Sequence, residues 1–161
     1  MHDMLVKLYE LPSLTEALDA MSARGISVRR VLAPETPVVT GWVQTKFATS
    51  AAEVGIACSR LPISCFIAVR DREILGFACH DATARNFFGP EAVAAEERGR
   101  GLGRALLLAT LHAQREQGYA YAIIGGVGPA DFYAKCVGAI PIPGSTPGIY
   151  LGMLRPKSAA S

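Results

Sequence analysis

The twelve residues Glu96–Leu107, EERGRGLGRALL, bring three arginines and three glycines to the start of a predicted helix. A helix N-terminus carries partial positive charge, so its first turn normally attracts Asp or Glu rather than arginine. Glu96 and Glu97 precede the helix, but two side chains cannot use all the free main-chain N–H groups of the first turn. The pattern therefore predicts that this turn binds an anionic ligand.

Three phosphate-binding patterns can be compared with residues 98–105. A P-loop needs Lys after its last glycine, where this chain has Arg104. The dinucleotide-binding pattern of Rossmann folds needs a third glycine three positions after the second, and both possible registers fail. The third pattern is Arg or Gln, two residues, Gly, one residue, then Gly or Ala, and it matches at Arg98, Gly101 and Gly103.

The segment Val93–Leu107 resembles motif A of the N-acetyltransferases of the GNAT superfamily. Asp131–Ala139 resembles motif B of the same family, and Phe66–Asp81 resembles its central hairpin. The resemblance implies a mixed, mostly antiparallel sheet with helices on both faces, in which the adjacent fourth and fifth strands splay apart around acetyl-CoA. It covers about residues 60–155, and residues 1–161 are predicted to form a single domain of this kind.

The resemblance also implies that acetyl-CoA is the cosubstrate. Glycines without Cβ atoms would let the main chain close around its diphosphate, and a main-chain amide near Val93 would face the thioester oxygen. One departure is Gly126, where many relatives have Asn, so one side-chain contact with the coenzyme is expected to be absent. The residues implied in coenzyme binding are Val93, Ala94, Arg98, Gly99, Arg100, Gly101, Leu102, Gly103, Arg104, Ala105 and Tyr133.

Acetyl transfer needs an uncharged amine, a stabilised oxyanion and a proton for the departing thiolate. By resemblance, Tyr133 protonates the sulfur, and a phenol suits this role because its ordinary pKa of about 10 exceeds a thiol's value of about 8.5. The alternative is that Tyr133 is a core aromatic. Glu91 is the candidate base because it precedes Val93 by two positions and shares its strand face. A solvated or hydrogen-bonded carboxylate is the alternative for Glu91.

Composition bears on the class of protein. A chain of 161 residues, half of them apolar, fits one domain with a substantial core. A net charge of +2 gives no reason to expect a nucleic-acid or membrane partner. The first residues lack the features of a secretory signal, and no apolar run is long enough to span a bilayer, which predicts a soluble cytoplasmic protein. Dispersed cysteines and histidines predict buried free thiols and no metal site.

Hydrophobic periodicity predicts a mixed α/β fold. Strand, glycine-rich turn, helix and strand in the second half predict two neighbouring parallel strands with a ligand crevice where they end. Gly89 and Pro90 indicate a bulge or an edge within the strand that precedes the arginines. Strands are predicted over residues 4–9, 64–69, 74–80, 87–94, 119–124 and 149–154, and helices over 12–24, 35–57, 102–117 and 130–137.

The leading prediction is an N-acetyltransferase in which a bound primary amine attacks acetyl-CoA directly. A route through an acyl-enzyme on Cys136 would need an activating group that the sequence does not supply nearby. A non-catalytic CoA-binding sensor and transfer of a longer acyl group remain alternatives. The acceptor is open among small amines, amino acids, antibiotics and protein amines. Trp42, Lys46 and Phe47 either border its pocket or belong to the core, and the apolar strand over 149–154 could pair across a homodimer interface.

Overall fold

A computed structural model describes residues 1–157 of the chain. Its centre is one seven-stranded sheet. The strands are β1 (Met4–Lys7), β2 (Ser27–Arg30), β3 (Cys65–Arg70), β4 (Glu73–His80), β5 (Phe87–Val93), β6 (Tyr121–Ile124) and β7 (Ile140–Pro141). Their order across the sheet is β2-β3-β4-β5-β6-β1-β7. Every neighbouring pair is antiparallel except β5 and β6, which are parallel.

Helices cover both faces of this sheet. They are α1 (Leu14–Ser22), α2 (Thr36–Lys46), α3 (Ala51–Cys58), α4 (Leu102–Glu116) and α5 (Ala130–Val137). Apolar side chains of α1, α4 and α5 form one core cluster with the sheet, and those of α2 and α3 form a second. The predicted mixed sheet with helices on both faces is therefore confirmed.

The strands β5 and β6 separate soon after they pair. Only Phe87 and Phe88 of β5 have partners on β6, at Ile123 and Ile124. Beyond Phe88, β5 has no neighbouring strand on that side within residues 1–157, and this leaves a wedge-shaped opening. The splayed strands are the fifth and sixth of this chain rather than the fourth and fifth, because two short strands precede the central hairpin.

A bulge interrupts β5 at Gly89 and Pro90. The pairing of β4 with β5 shifts between Ala78 and His80, and Gly89 has a φ of 113°, in the region that favours glycine. The interruption is a bulge in the pairing with β4, and it also begins an edge, because the pairing of β5 with β6 ends at Phe88.

The long helix predicted over residues 35–57 is wrong, since α2 ends at Lys46 and α3 begins at Ala51. Phe47 leaves the helix with φ −143° and ψ 55°, and its ring packs against Trp42 and Phe77. The apolar pattern continues through the break because both helices face the same core cluster. The periodicity therefore did not reveal where the helix ends.

The strand predicted over residues 149–154 is also wrong. A short 3₁₀ turn, Gly148–Tyr150, occupies this region, and Gly148 and Gly152 have φ values of 61° and 73°, which a strand does not accommodate. The last strand is β7, which pairs with β1. The sequence-based reason for expecting a homodimer through this strand is therefore lost.

Candidate functional site

The loop between β5 and α4 exposes a row of main-chain donors. Gly99 and Gly101 adopt φ values of 75° and 84°, which glycine tolerates best. None of the main-chain N–H groups of residues 99–104 donates a hydrogen bond to another main-chain or side-chain group in the described part of the chain. The first turn of α4 contains no acidic residue. Free donors at a helix N-terminus form a binding site for an anion such as a phosphate group.

Carboxylates neutralise part of the positive charge at this loop. Glu97 is buried, at 4% exposure, and lies 3.9 Å from a guanidinium nitrogen of Arg100. The exposed Glu96 lies 3.8 Å from Lys46. The sequence suggested that both glutamates only approach the helix, but Glu97 is packed behind the loop because it pairs with arginines from other elements.

Two other arginines of the loop lack such compensation. Arg98 and Arg104 have no carboxylate within 4.0 Å among residues 1–157. Arg98 instead donates its Nε–H to the Val93 carbonyl at 3.2 Å. These two guanidinium groups leave net positive charge beside the free N–H groups, which favours a phosphate-bearing ligand.

Main-chain groups at the end of β5 face the wedge-shaped opening. The Ala94 N–H donates to the Leu75 carbonyl at 2.8 Å, toward the β4 side. Because successive residues of a strand direct their main-chain groups to opposite sides, those of Val93 point away from β4. The Val93 amide therefore points toward the opening, whereas the Ala94 amide is bonded to β4.

The structure brings Glu91 and Tyr133 together beside this opening. The Tyr133 hydroxyl lies 3.5 Å from Glu91 Oε2, and the other carboxylate oxygen is buried without a hydrogen-bond partner within residues 1–157. A Cβ placed on Gly103 would lie 3.7 Å from both Glu91 Oε1 and Val93 Cγ2. The start of α4 therefore packs against the face of β5 that carries both side chains.

Burial shifts the protonation of this pair. It raises the pKa of Glu91 to about 8, although the hydrogen bond from Tyr133 acts in the opposite direction. Burial also raises the pKa of Tyr133, with a smaller contribution from the charge of Glu91. The phenol is therefore a proton donor throughout the neutral range, and the carboxyl group exchanges its proton close to neutrality.

A separate cleft of about 780 Å³ lies at the start of the opening. Phe88, Pro90 and Gly125 contribute to its walls, together with Glu53 at the beginning of α3 and Tyr150. A Cβ on Gly125 would lie only 2.5 Å from the Tyr150 hydroxyl, so glycine is required for Tyr150 to sit there. The sequence around Tyr150 gives no sign of this contact, because it joins segments that are distant along the chain.

Three residues were candidates for the border of an acceptor pocket, and none of them lines this cleft: Trp42, Lys46 and Phe47. Trp42 and Phe47 pack against Phe77 in the core. The Lys46 ammonium lies above the Trp42 ring, 5.7 Å from its centroid. Of the two alternatives that the sequence left open, core packing applies to both aromatic residues.

His80 and the cysteines do not line the cleft beside Glu53. His80 is fully buried, and its Nδ1 lies 2.9 Å from Asp81 Oδ2. The four cysteines are free thiols; Cys58, Cys65 and Cys79 are buried as predicted, whereas Cys136 is partly exposed. Residues 1–157 contain no cluster of three or more His, Cys, Asp or Glu side chains arranged to hold a metal ion. In the same range, no helix combines the length and apolar character needed to cross a bilayer.

Comparison with known proteins identifies the central part of the chain. Residues 62–136, from just before β3 into α5, match the family model described as acetyltransferase (GNAT) domain. No curated protein matches the chain in sequence. The resemblance drawn from motifs A and B is confirmed by the family match.

Several solved structures share the fold. One is the GCN5-related glucosamine N-acetyltransferase region of a fungal multi-domain GH3 beta-N-acetylglucosaminidase, with a TM-score of 0.72 and 16% identity over 88% of this chain and 19% of that chain. Another is a GCN5-related N-acetyltransferase from Sphaerobacter thermophilus, with a TM-score of 0.60 and 16% identity over 88% of this chain and 48% of that one.

A third is an aminoglycoside acetyltransferase from an uncultured soil metagenomic sample, with a TM-score of 0.54 and 14% identity over 70% of this chain and 88% of that chain. The chain spans about a fifth of the length of the fungal protein and about half that of the Sphaerobacter protein. At these identities the likeness concerns the fold.

Proposed function

The chain contains a GNAT-superfamily domain, and from this premise we propose that it transfers the acetyl group of acetyl-CoA to a primary amine by direct attack in a ternary complex. One arrangement carries this proposal: the free N–H groups of residues 99–104 and the Glu91–Tyr133 pair lie at the same end of β5. The first group suits a diphosphate, and the second suits proton transfer.

The residues present fit the coenzyme. The N–H groups of residues 99–104, with Arg98 and Arg104, would hold its diphosphate, and the exposed main-chain edge of β5 up to Val93 would hold its pantetheine arm. Binding of the arm requires the Arg98 side chain to release the Val93 carbonyl. When bound, acetyl-CoA supplies an activated acyl group as a thioester.

Glu91 and Tyr133 have complementary roles in this proposal. Glu91 accepts a proton from the attacking amine, since a base with a pKa of about 8 is matched to neutral pH. Tyr133 donates a proton to the departing sulfur, because burial raises its pKa and keeps it protonated. Burial also raises the pKa of the Cys136 thiol, which disfavours a thiolate nucleophile and supports direct attack.

The cleft beside Glu53 is the proposed acceptor site. Its volume of about 780 Å³ lies in the range of small-molecule sites, which supports a small amine over a protein surface. Thr83 donates a hydrogen bond to Glu53 and leaves one carboxylate oxygen for a ligand. Hydroxyl side chains of Thr49, Ser50 and Thr83 line the same cleft. Hydroxylated amines are therefore the first acceptors to test, and the names of two structural neighbours mention glucosamine and an aminoglycoside.

Replacing Glu53 with glutamine should raise the KM for the amine by about tenfold and leave the KM for acetyl-CoA unchanged, because a charge-assisted hydrogen bond is lost. Steady-state kinetics with each substrate varied in turn measures both constants. Glu16→Gln, an exposed position on α1, is the matched control with the same charge change. An unchanged KM for the amine in folded Glu53→Gln protein would remove Glu53 from the acceptor site.

The function itself is tested by thiol release. Purified protein is incubated with acetyl-CoA and each member of an amine panel, and free thiol and acetylated amine are quantified together. The proposal expects both products in equal amounts and only when the amine is present. Tight CoA binding without amine-dependent thiol release across the panel would favour a binding module instead.

A further inference from the structure

The C-terminal end of α1 is packed against the glycine loop. Arg24 donates an Nη1–H to the Arg100 carbonyl at 2.6 Å. The Met21 methyl group lies 3.6 Å from the position that a Cβ on Gly101 would occupy. Met21 in α1 and Arg24 just after it lie outside the segment that matches the family model, so the family match does not assign them to the site.

Glu97 joins this contact to the sheet. Its carboxylate accepts two hydrogen bonds from Arg70 at the end of β3, and it lies 4.0 Å from Arg24 and 3.9 Å from Arg100. The Glu97 side chain is only 6% exposed, whereas those of Arg24 and Arg70 are about one-third exposed. One carboxylate therefore holds together three guanidinium groups, from the turn after α1, from β3 and from the loop.

These contacts decide which main-chain groups the loop presents. Arg24 binds the Arg100 carbonyl, so that oxygen is turned toward α1. A carbonyl oxygen that faced the ligand would repel a diphosphate, whereas the free N–H groups attract it. Without Glu97, three like charges would lie close together behind the loop, and their repulsion would spread the segments that shape it.

We propose that Arg24 and Glu97 are positioning residues that hold the coenzyme loop in its binding shape from behind, an inference which rests on the proposed function. They act before the ligand arrives, because a loop already in its bound shape loses less conformational freedom on binding. Their effect falls on the affinity for coenzyme A and not on the chemical step.

The test compares Arg24→Gln, Arg24→Lys and Glu97→Gln with wild type by calorimetric titration of coenzyme A and by steady-state kinetics. Arg24→Gln and Glu97→Gln should each weaken coenzyme binding about tenfold, raise the KM for acetyl-CoA to match, and leave kcat within about twofold at saturation. Arg24→Lys should keep part of the affinity because lysine can still donate to the Arg100 carbonyl. The double variant Arg24→Gln/Glu97→Gln should lose less free energy of coenzyme A binding than the sum of the two single losses, since both residues act on one loop.

Glu96→Gln is the matched control, because it removes the same charge one residue away at an exposed position and should bind coenzyme A as wild type does. Thermal unfolding of each variant checks the fold. If Glu97→Gln does not fold, the Arg24 variants carry the test, because the Arg24 side chain is about one-third exposed. Folded Arg24→Gln with wild-type affinity, or with kcat reduced as much as affinity, would overturn the inference while the proposed function stands. A folded wild type that binds no coenzyme A would overturn both.

Discussion

Replacing Tyr133 with phenylalanine should lower kcat by about 10²- to 10³-fold and change the KM for acetyl-CoA by less than about threefold. The hydroxyl would be the proton donor to the departing sulfur, so its loss affects the chemical step. The aromatic ring remains, and with it the edge contacts to Phe88 and Phe132, whose centroids lie 6.1 and 5.1 Å away. The substitution therefore separates the acid role from core packing.

Steady-state assays of thiol release on wild type and Tyr133→Phe measure this effect. Tyr121→Phe removes a hydroxyl at an exposed position of β6 and should leave kcat unchanged. Equal thermal unfolding temperatures would show that the Tyr133→Phe protein is folded. If that folded variant kept the kcat of wild type, Tyr133 would be only a core aromatic.

Replacing Glu91 with glutamine should lower kcat by about 10²-fold near pH 8 and flatten its pH dependence. The pKa of Glu91 is about 8, so the carboxyl group is mostly protonated below that pH and cannot act as a base. The wild-type rate should rise about tenfold per pH unit below pH 8 and level off above it. Glutamine cannot titrate, so the variant should lose this rise.

The acceptor must not impose a similar pH dependence of its own. An amine whose pKa lies below about 6 is neutral across the range tested, so the remaining dependence belongs to the enzyme. Because both groups of a close pair contribute to one titration, the measured pKa values belong to the Glu91–Tyr133 pair. A rise near pH 8 that persisted in Glu91→Gln would assign it to another group.

The same variant carries a stability signature. Folded Glu91 holds a proton up to pH of about 8, whereas the unfolded chain releases it near the ordinary value of 4.5. Stability from this group is therefore full below that ordinary value and falls as the pH rises toward 8. Glutamine does not titrate, so Glu91→Gln keeps its stability over this pH range. Its free energy of unfolding in denaturant should exceed that of wild type by about 1–3 kcal/mol between pH 6 and pH 9.

Local spacing predicted the parts of the site that lie within one short segment. The pattern at Arg98, Gly101 and Gly103 located the loop with its free N–H groups, because glycine spacing determines local backbone shape. The two-residue spacing of Glu91 and Val93 placed both on one strand face, since the bulge at Gly89 lies before them. Both are properties of neighbouring residues.

Such local patterns do not predict contacts between segments that are distant along the chain. The burial of Glu97 depends on Arg24 and Arg70, which lie far away in sequence and meet only in the folded chain. The cleft likewise joins Glu53 to Tyr150 from separate elements. The positive charge of the loop arginines is thus balanced partly by the internal carboxylate of Glu97 and partly, in the proposal, by a ligand.

Titration of coenzyme A into the folded protein by calorimetry tests the central claim most directly. The free N–H groups of residues 99–104 predict binding of one coenzyme per chain, weakened by added salt because phosphates are held by charge. Protein that is folded by thermal unfolding and still takes up no coenzyme A would contradict the account.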